Sequence, residues 1–142
     1  DLPSMGILMI ILLFYILFGC VFSAFALVLL TVPVFFPLVA GLGLDTLFNT
    51  TPANILIWFG IVIVVVAEIG QITPPIGMNV FVLKSMLPDV ELSTIFKGII
   101  PFFGADLVRL ALIVLFPATV LALPDYMDQM QEQFDALLES LF

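Results

Sequence analysis

The chain has 142 residues, of which 63% are hydrophobic and only 10% charged, and its mean hydropathy is +1.35. A soluble domain is about half apolar and about a quarter charged, so this composition excludes a water-soluble enzyme and places the chain in a bilayer. Three basic residues against eleven acidic ones, a net charge of −8, would repel nucleic acid, and with no histidine and the single Cys20 the usual catalytic, metal-binding and disulfide pairs lack material.

A spanning helix needs about 20 apolar residues, so the length allows three to five passes. That is few for a whole transporter, and the chain starts without Met. The expectation is the C-terminal portion of a longer membrane protein; the alternative is a small complete anchor.

Residues 1–40 carry no charge from Met5 onward and are punctuated by Gly19, Ser23, Thr31, Pro33 and Pro37. One straight helix over residues 5–40 would be about 54 Å long, against a hydrocarbon core of about 30 Å. Two readings stay open: a single span of about 25 residues ending near Thr31 and Pro33, or a re-entrant hairpin with its tip at residues 19–23. Residues 41–54 form a polar linker (Asp45, Asn49, Thr50, Thr51, Pro52, Asn54) that belongs at the membrane surface.

Residues 55–87 are apolar through Ala67, then meet Glu68, Gly70, Gln71 and the run TPPIGMN from Thr73 to Asn79. Pro74 and Pro75 remove two backbone donors and clash with the preceding turn, so the helix breaks there. Neither half is expected to span alone, and together they make one discontinuous pass. Residues 88–98 read as an interfacial helix, with Leu92, Ile95, Phe96 and Ile99 at helical spacing and Ser93 as a cap. Residues 99–124 read as the last span, with Pro101 and Pro117 inside it and Pro124 as its stop. Residues 125–142 form an acidic amphipathic tail holding five of the eleven acids, with Met127, Met130, Phe134, Leu137 or Leu138 and Leu141 on one side. The three basic residues, Lys84, Lys97 and Arg109, mark the cytoplasmic side by the positive-inside rule. The linker and the tail then face outward.

Chemistry concentrates at Glu68 to Asn79. A broken membrane helix frees carbonyls and amides, and the half-helix dipoles converge on the gap. Main-chain carbonyls and the Thr73 hydroxyl suit a hard cation such as Na⁺, Gly70 and Gly77 permit close approach, Pro74 holds the break, and Asn79 offers either end of its amide. The candidate cation and substrate residues are therefore Gly19, Ser23, Gly70, Thr73, Pro74, Gly77 and Asn79, with Na⁺ at Thr73 and Gly77 and no other cofactor. The bland alternative is a proline kink without ligand. Glu68 is read as a structural or relay carboxylate, because a charge at that depth faces a partner or a cavity. Asp106 and Arg109, three apart, are read as a mutual ion pair near the cytoplasmic end, where Arg109 snorkels. Cys20 is a small packing residue.

The order of LFG near Gly19, LLTVPVFFPLV at residues 29–39, GLD at 43–45, WFGI at 58–61, EIGQITPPIGMNVFVLK at 68–84 and RLALIVLFPATVLALP at 109–124 resembles the C-terminal part of the large permease subunit of tripartite ATP-independent periplasmic (TRAP) transporters. The resemblance implies an all-α integral membrane fold: a re-entrant helical hairpin, a discontinuous helix and a C-terminal span of an inverted-repeat, elevator-type transporter. It implies multi-pass residence in the bacterial inner membrane and sodium-coupled transport of an organic acid such as a dicarboxylate or sialic acid. The implied partners are the remainder of the large subunit, a small membrane subunit and a periplasmic substrate-binding protein, besides membrane lipid. The sequence departs from the family in having Ser23 where an acidic residue is common, in a longer linker at residues 46–57, and in the tail after Pro124. The rival reading is a non-transporting anchor or assembly subunit, with the TPP break as a packing kink.

Overall fold

The computed structural model describes residues 3–74 and 77–141, and among them the regular structure is entirely helical: α1 (Ser4–Gly19), α2 (Ala24–Ala40), α3 (Leu44–Phe48), α4 (Pro52–Ile72), α5 (Met78–Met86), α6 (Leu92–Leu115) and α7 (Ala118–Leu141). Asp1, Leu2, Pro75, Ile76 and Phe142 lie outside the described residues, so the second proline of the break is among them.

The first apolar region is divided at residues 20–23 into helices of 16 and 17 residues, about 24 and 26 Å long. Ser23 has extended backbone and caps α2, its Oγ accepting the Ala26 N–H at 3.3 Å. The two helices run antiparallel. At the base Ser4 Oγ donates to the Leu42 carbonyl at 2.6 Å. Midway the Thr31 hydroxyl, itself donating to the Leu27 carbonyl at 2.7 Å, accepts from Tyr15. Pro33 and Pro37 lie inside α2, where each removes one helical donor without ending the helix.

α4 begins earlier than the hydrophobic run suggests. Thr51 is its cap, accepting the Asn54 N–H at 3.2 Å, and Pro52 takes the first helical position, where a missing N–H costs nothing. The extra turn makes α4 21 residues long, about 32 Å, so it is long enough to cross a membrane by itself. This corrects the expectation that neither half of the broken pass spans alone.

α4 is also the centre of the bundle. Trp58, Phe59, Val62, Val66, Ala67 and Ile69 on it are wholly buried, with α1 and α2 packed along it and α6 crossing it. The indole Nε1 of Trp58 donates to the Ile113 carbonyl of α6 at 2.8 Å, and the rings of Phe36 and Phe48 lie 5.8 and 5.3 Å from those of Phe59 and Trp58. The outer faces are apolar too: Phe25 is 79% and Leu30 77% exposed. Such surfaces suit lipid, not water.

Two boundaries toward the end of the chain differ from the sequence reading. The interfacial segment and the last span are one helix, α6, which runs through Pro101 without interruption. The break falls at Pro117 instead: Phe116 before it has φ −127° and ψ 75°, off the helical region that a following proline disfavours. α7 then absorbs both the end of the expected span and the acidic tail, and Pro124 lies in its interior instead of stopping it. One lost donor is tolerated when the flanking turns keep theirs.

Candidate functional site

The break between α4 and α5 starts at Thr73, whose N–H donates to the Gly70 carbonyl at 3.1 Å and whose hydroxyl donates to the Ile69 carbonyl at 2.6 Å. The hydroxyl proton is thereby committed, and the Thr73 oxygen retains acceptor capacity. Gly77 leads α5 with φ +52° and is buried. A Cβ on it would stand 3.2 Å from the Gln71 carbonyl oxygen and 3.3 Å from that of Thr73. Two main-chain oxygens at the end of α4 thus converge on the one residue at the break that has neither a side chain nor a preference against left-handed backbone. Among the described residues no group of three or more His, Cys, Asp or Glu side chains comes together; the oxygens that meet at the break are the main-chain oxygens of Gln71 and Thr73 and the Thr73 hydroxyl.

One turn before the break, Gly70 meets Gly19 at the hairpin tip. A Cβ on Gly70 would lie 2.7 Å from the Gly19 Cα, 2.9 Å from its carbonyl carbon and 3.0 Å from the Ile16 oxygen. The end of α1 therefore touches α4 backbone to backbone. Ser23, at the other end of the tip, is exposed and spends its oxygen on capping α2. Pro74 and Asn79 are exposed as well. The structure thus brings Gly19 to Gly70 and Gly77 to Thr73.

Glu68 lines an apolar groove of about 270 Å³ together with Ala24, Phe25, Val28, Leu29 and Val64. Its carboxylate lies 4.0 Å from the Arg109 guanidinium, which is 3.1 Å from Asp106. The expected Asp106–Arg109 pair is therefore one side of a triad whose third member comes from α4. Arg109 sits about 26 Å along α6 from Leu92, because the expected interfacial segment and last span are one helix. Its charge is met by two carboxylates, and the marking of one membrane side rests on Lys84 and Lys97. Lys84 closes the turn after α5, its Nζ donating to the Pro88 and Val90 carbonyls at 2.8 and 2.6 Å.

Sequence reasoning missed one polar tie. Asn54, in the first turn of α4, is buried, and its Nδ2 donates to Asp125 Oδ1 of α7. Beside it a groove of about 400 Å³ runs between the linker (Leu47, Phe48, Asn49, Thr50) and the α6–α7 break (Phe116, Pro117). The linker and the start of the tail lie at the same end of the bundle. The available signal was the pair Thr51-Pro52, a cap followed by a first-turn proline, which puts Asn54 in the first turn of a helix instead of in the linker.

The family described as "Tripartite ATP-independent periplasmic transporter, DctM component" matches residues 1–119. The C4-dicarboxylate TRAP transporter large permease protein DctM of Pseudomonas aeruginosa is 36% identical over 102 residues, covering 72% of this chain and 21% of that protein. A putative TRAP transporter large permease protein of Haemophilus influenzae is 34% identical over 121 residues, covering 85% and 27%. The sialic acid TRAP transporter large permease protein SiaM of Vibrio cholerae is 32% identical over 125 residues, covering 88% and 26%. The chain thus spans about a fifth to a quarter of the length of these relatives. No solved structure matches it.

Proposed function

The chain belongs to the DctM family of tripartite ATP-independent periplasmic transporters, and on that premise we propose that it supplies half of the transport site of a sodium-coupled permease for an organic acid. The observation that carries this reading is the junction just described: the family match runs through a helix break whose carbonyls converge on Gly77 and whose preceding turn holds the hairpin tip. The C-terminal end of α4 is the negative end of its dipole, and with the Gln71 and Thr73 carbonyls and Thr73 Oγ1 it favours Na⁺. The N-terminal end of α5 is positive and favours a carboxylate. One break therefore offers the coupling ion and the organic anion opposite ends of two half-helices.

In this reading α1 and α2 are the arms of a re-entrant hairpin, each shorter than the roughly 30 Å hydrocarbon core. The hairpin and the broken helix form one repeat of an inverted-repeat, elevator-type transporter in the bacterial inner membrane. The names of relatives point to a dicarboxylate or a sialic-acid-like substrate. The remaining repeat, a small membrane subunit and a periplasmic binding protein complete the machine.

The test replaces Thr73 by Val in the complete permease, reconstituted with its partner proteins in liposomes. Thr73→Val keeps the shape and removes the oxygen. We expect a several-fold higher sodium requirement for uptake with unchanged expression, and recovery in Thr73→Ser. An unaltered sodium dependence in Thr73→Val would overturn the assignment.

A further inference from the structure

Beyond residue 119 the chain leaves the family match, and α7 carries a pattern of its own. Leu123, Met127, Met130, Phe134, Leu137 and Leu141 recur at alternating steps of four and three, the a and d positions of a heptad repeat. The five acids of the tail, Asp125, Asp128, Glu132, Asp135 and Glu139, all fall at b and f, away from that seam. No acid or base occupies a flanking e or g position: Tyr126, Gln131, Gln133 and Ser140 stand there, with Pro124 and Leu138.

The structure adds two observations. α7 joins the bundle near its start, through Val120 and Leu121, which pack on the core, and through Asp125 on Asn54; Leu121 and Asp125 stand on the b/f side, about 150° from the seam. From residue 126 to 139 every residue is exposed. In addition, Met127, Met130, Gln131 and Phe134 line a groove of about 300 Å³. Those are successive a, d, e and a positions, the four that form the hole for a d-position knob in a parallel two-stranded coiled coil.

We infer that α7 is a homotypic docking helix: two copies of this chain pair in parallel through it, with Met130 of one copy seated among Met127, Met130, Gln131 and Phe134 of the other. Charge placement selects this occupant. A tail with five carboxylates would repel its copy if the acids flanked the seam, but they project outward, and the neutral e and g positions meet without like-charge contact. A membrane surface is the poorer fit: interfacial helices are rich in Lys and Arg, residues 125–142 contain neither, and an a/d seam is narrower than the stripe a helix buries against a broad apolar phase. Parallel pairing follows because both copies of α7 leave the same membrane in the same direction from α6. About two heptads hold weakly in free solution, and confinement to one bilayer raises the effective concentration.

The test is oxidative cross-linking of the complete protein in its membranes, with the wild type as background. Met130→Cys, at the seam, is expected to form an intermolecular disulfide, and Glu132→Cys, at f, to stay at background. Adding Phe134→Asp to Met130→Cys should lower the cross-linked fraction at least about fivefold by placing like charges in the core. Equal cross-linking at 130 and 132, or none at 130, would overturn the pairing. So would a fluorophore on Met130→Cys that nitroxide-labelled lipid quenches while no disulfide forms, since the seam would then lie on lipid.

Discussion

Replacing Gly70 by Ala tests the backbone contact between the hairpin tip and α4. The new Cβ would stand 2.7 Å from the Gly19 Cα where ordinary contact begins at 3.4 Å, a shortfall of 0.7 Å against backbone that cannot rotate aside. The Gly19 carbonyl carbon and the Ile16 oxygen are 0.5 and 0.4 Å too close by the same measure, at 2.9 and 3.0 Å. α1 must therefore move bodily, and overpacking of this kind costs about 1–3 kcal/mol. Gly60, on the same helix, is the matched control: a Cβ there meets nothing within 4 Å, so Gly60→Ala should gain up to about 1 kcal/mol of helix propensity. Gly19→Ala, with closest contacts at 3.1 Å, should fall between them. The assay is thermal or denaturant unfolding of the complete protein in detergent. If Gly70→Ala unfolds at or above wild type while Gly60→Ala behaves as expected, the close crossing of α1 and α4 is wrong.

The charged triad should be unequal: in double-mutant cycles of unfolding free energy, Arg109 should couple more strongly to Asp106, at 3.1 Å, than to Glu68, at 4.0 Å. Equal couplings would remove the geometric ranking. Asn54→Ala should cost about 1–3 kcal/mol, since it strips a buried donor from a charged acceptor, and should speed limited proteolysis of α7; an unchanged cleavage rate would show that the tie does not hold the tail. Trp58→Phe should likewise cost about 1–3 kcal/mol by leaving the Ile113 carbonyl without its indole donor, read by the urea midpoint. A shift of less than about 0.5 kcal/mol would show that the bond carries little.

The break at Thr73 was legible, and the tip at residues 19–23 was one of two open readings of residues 5–40, because Gly, Ser and adjacent prolines state their backbone demands locally. Prolines elsewhere were not. Pro33, Pro37, Pro101 and Pro124 sit inside helices whereas Pro117 accompanies a break, and residue type cannot report whether the neighbouring turns retain their bonds. The start of α4 at Pro52 was hidden by polarity: Thr51 and Asn54 look like linker although one caps the helix and the other is buried within it. At the site, the sequence nominated both Gly19 and Gly70, but the contact between them is a fact of helix crossing that no local pattern encodes. Likewise Glu68 and Arg109 stand 41 positions apart, and only the packing of α4 against α6 pairs them. Ser23 and Asn79, nominated for their polar groups, lie on exposed positions because capping α2 and starting α5 fixed their directions first.

The Gly19–Gly70 contact has a mechanical consequence. Interlocked side chains behave as gear teeth, each rotamer change absorbing some displacement before it passes on. Two backbones in direct contact have no such slack. Gly70 lies three residues ahead of Thr73, so a push on the hairpin tip passes to the end of α4 without being absorbed by side-chain rotation.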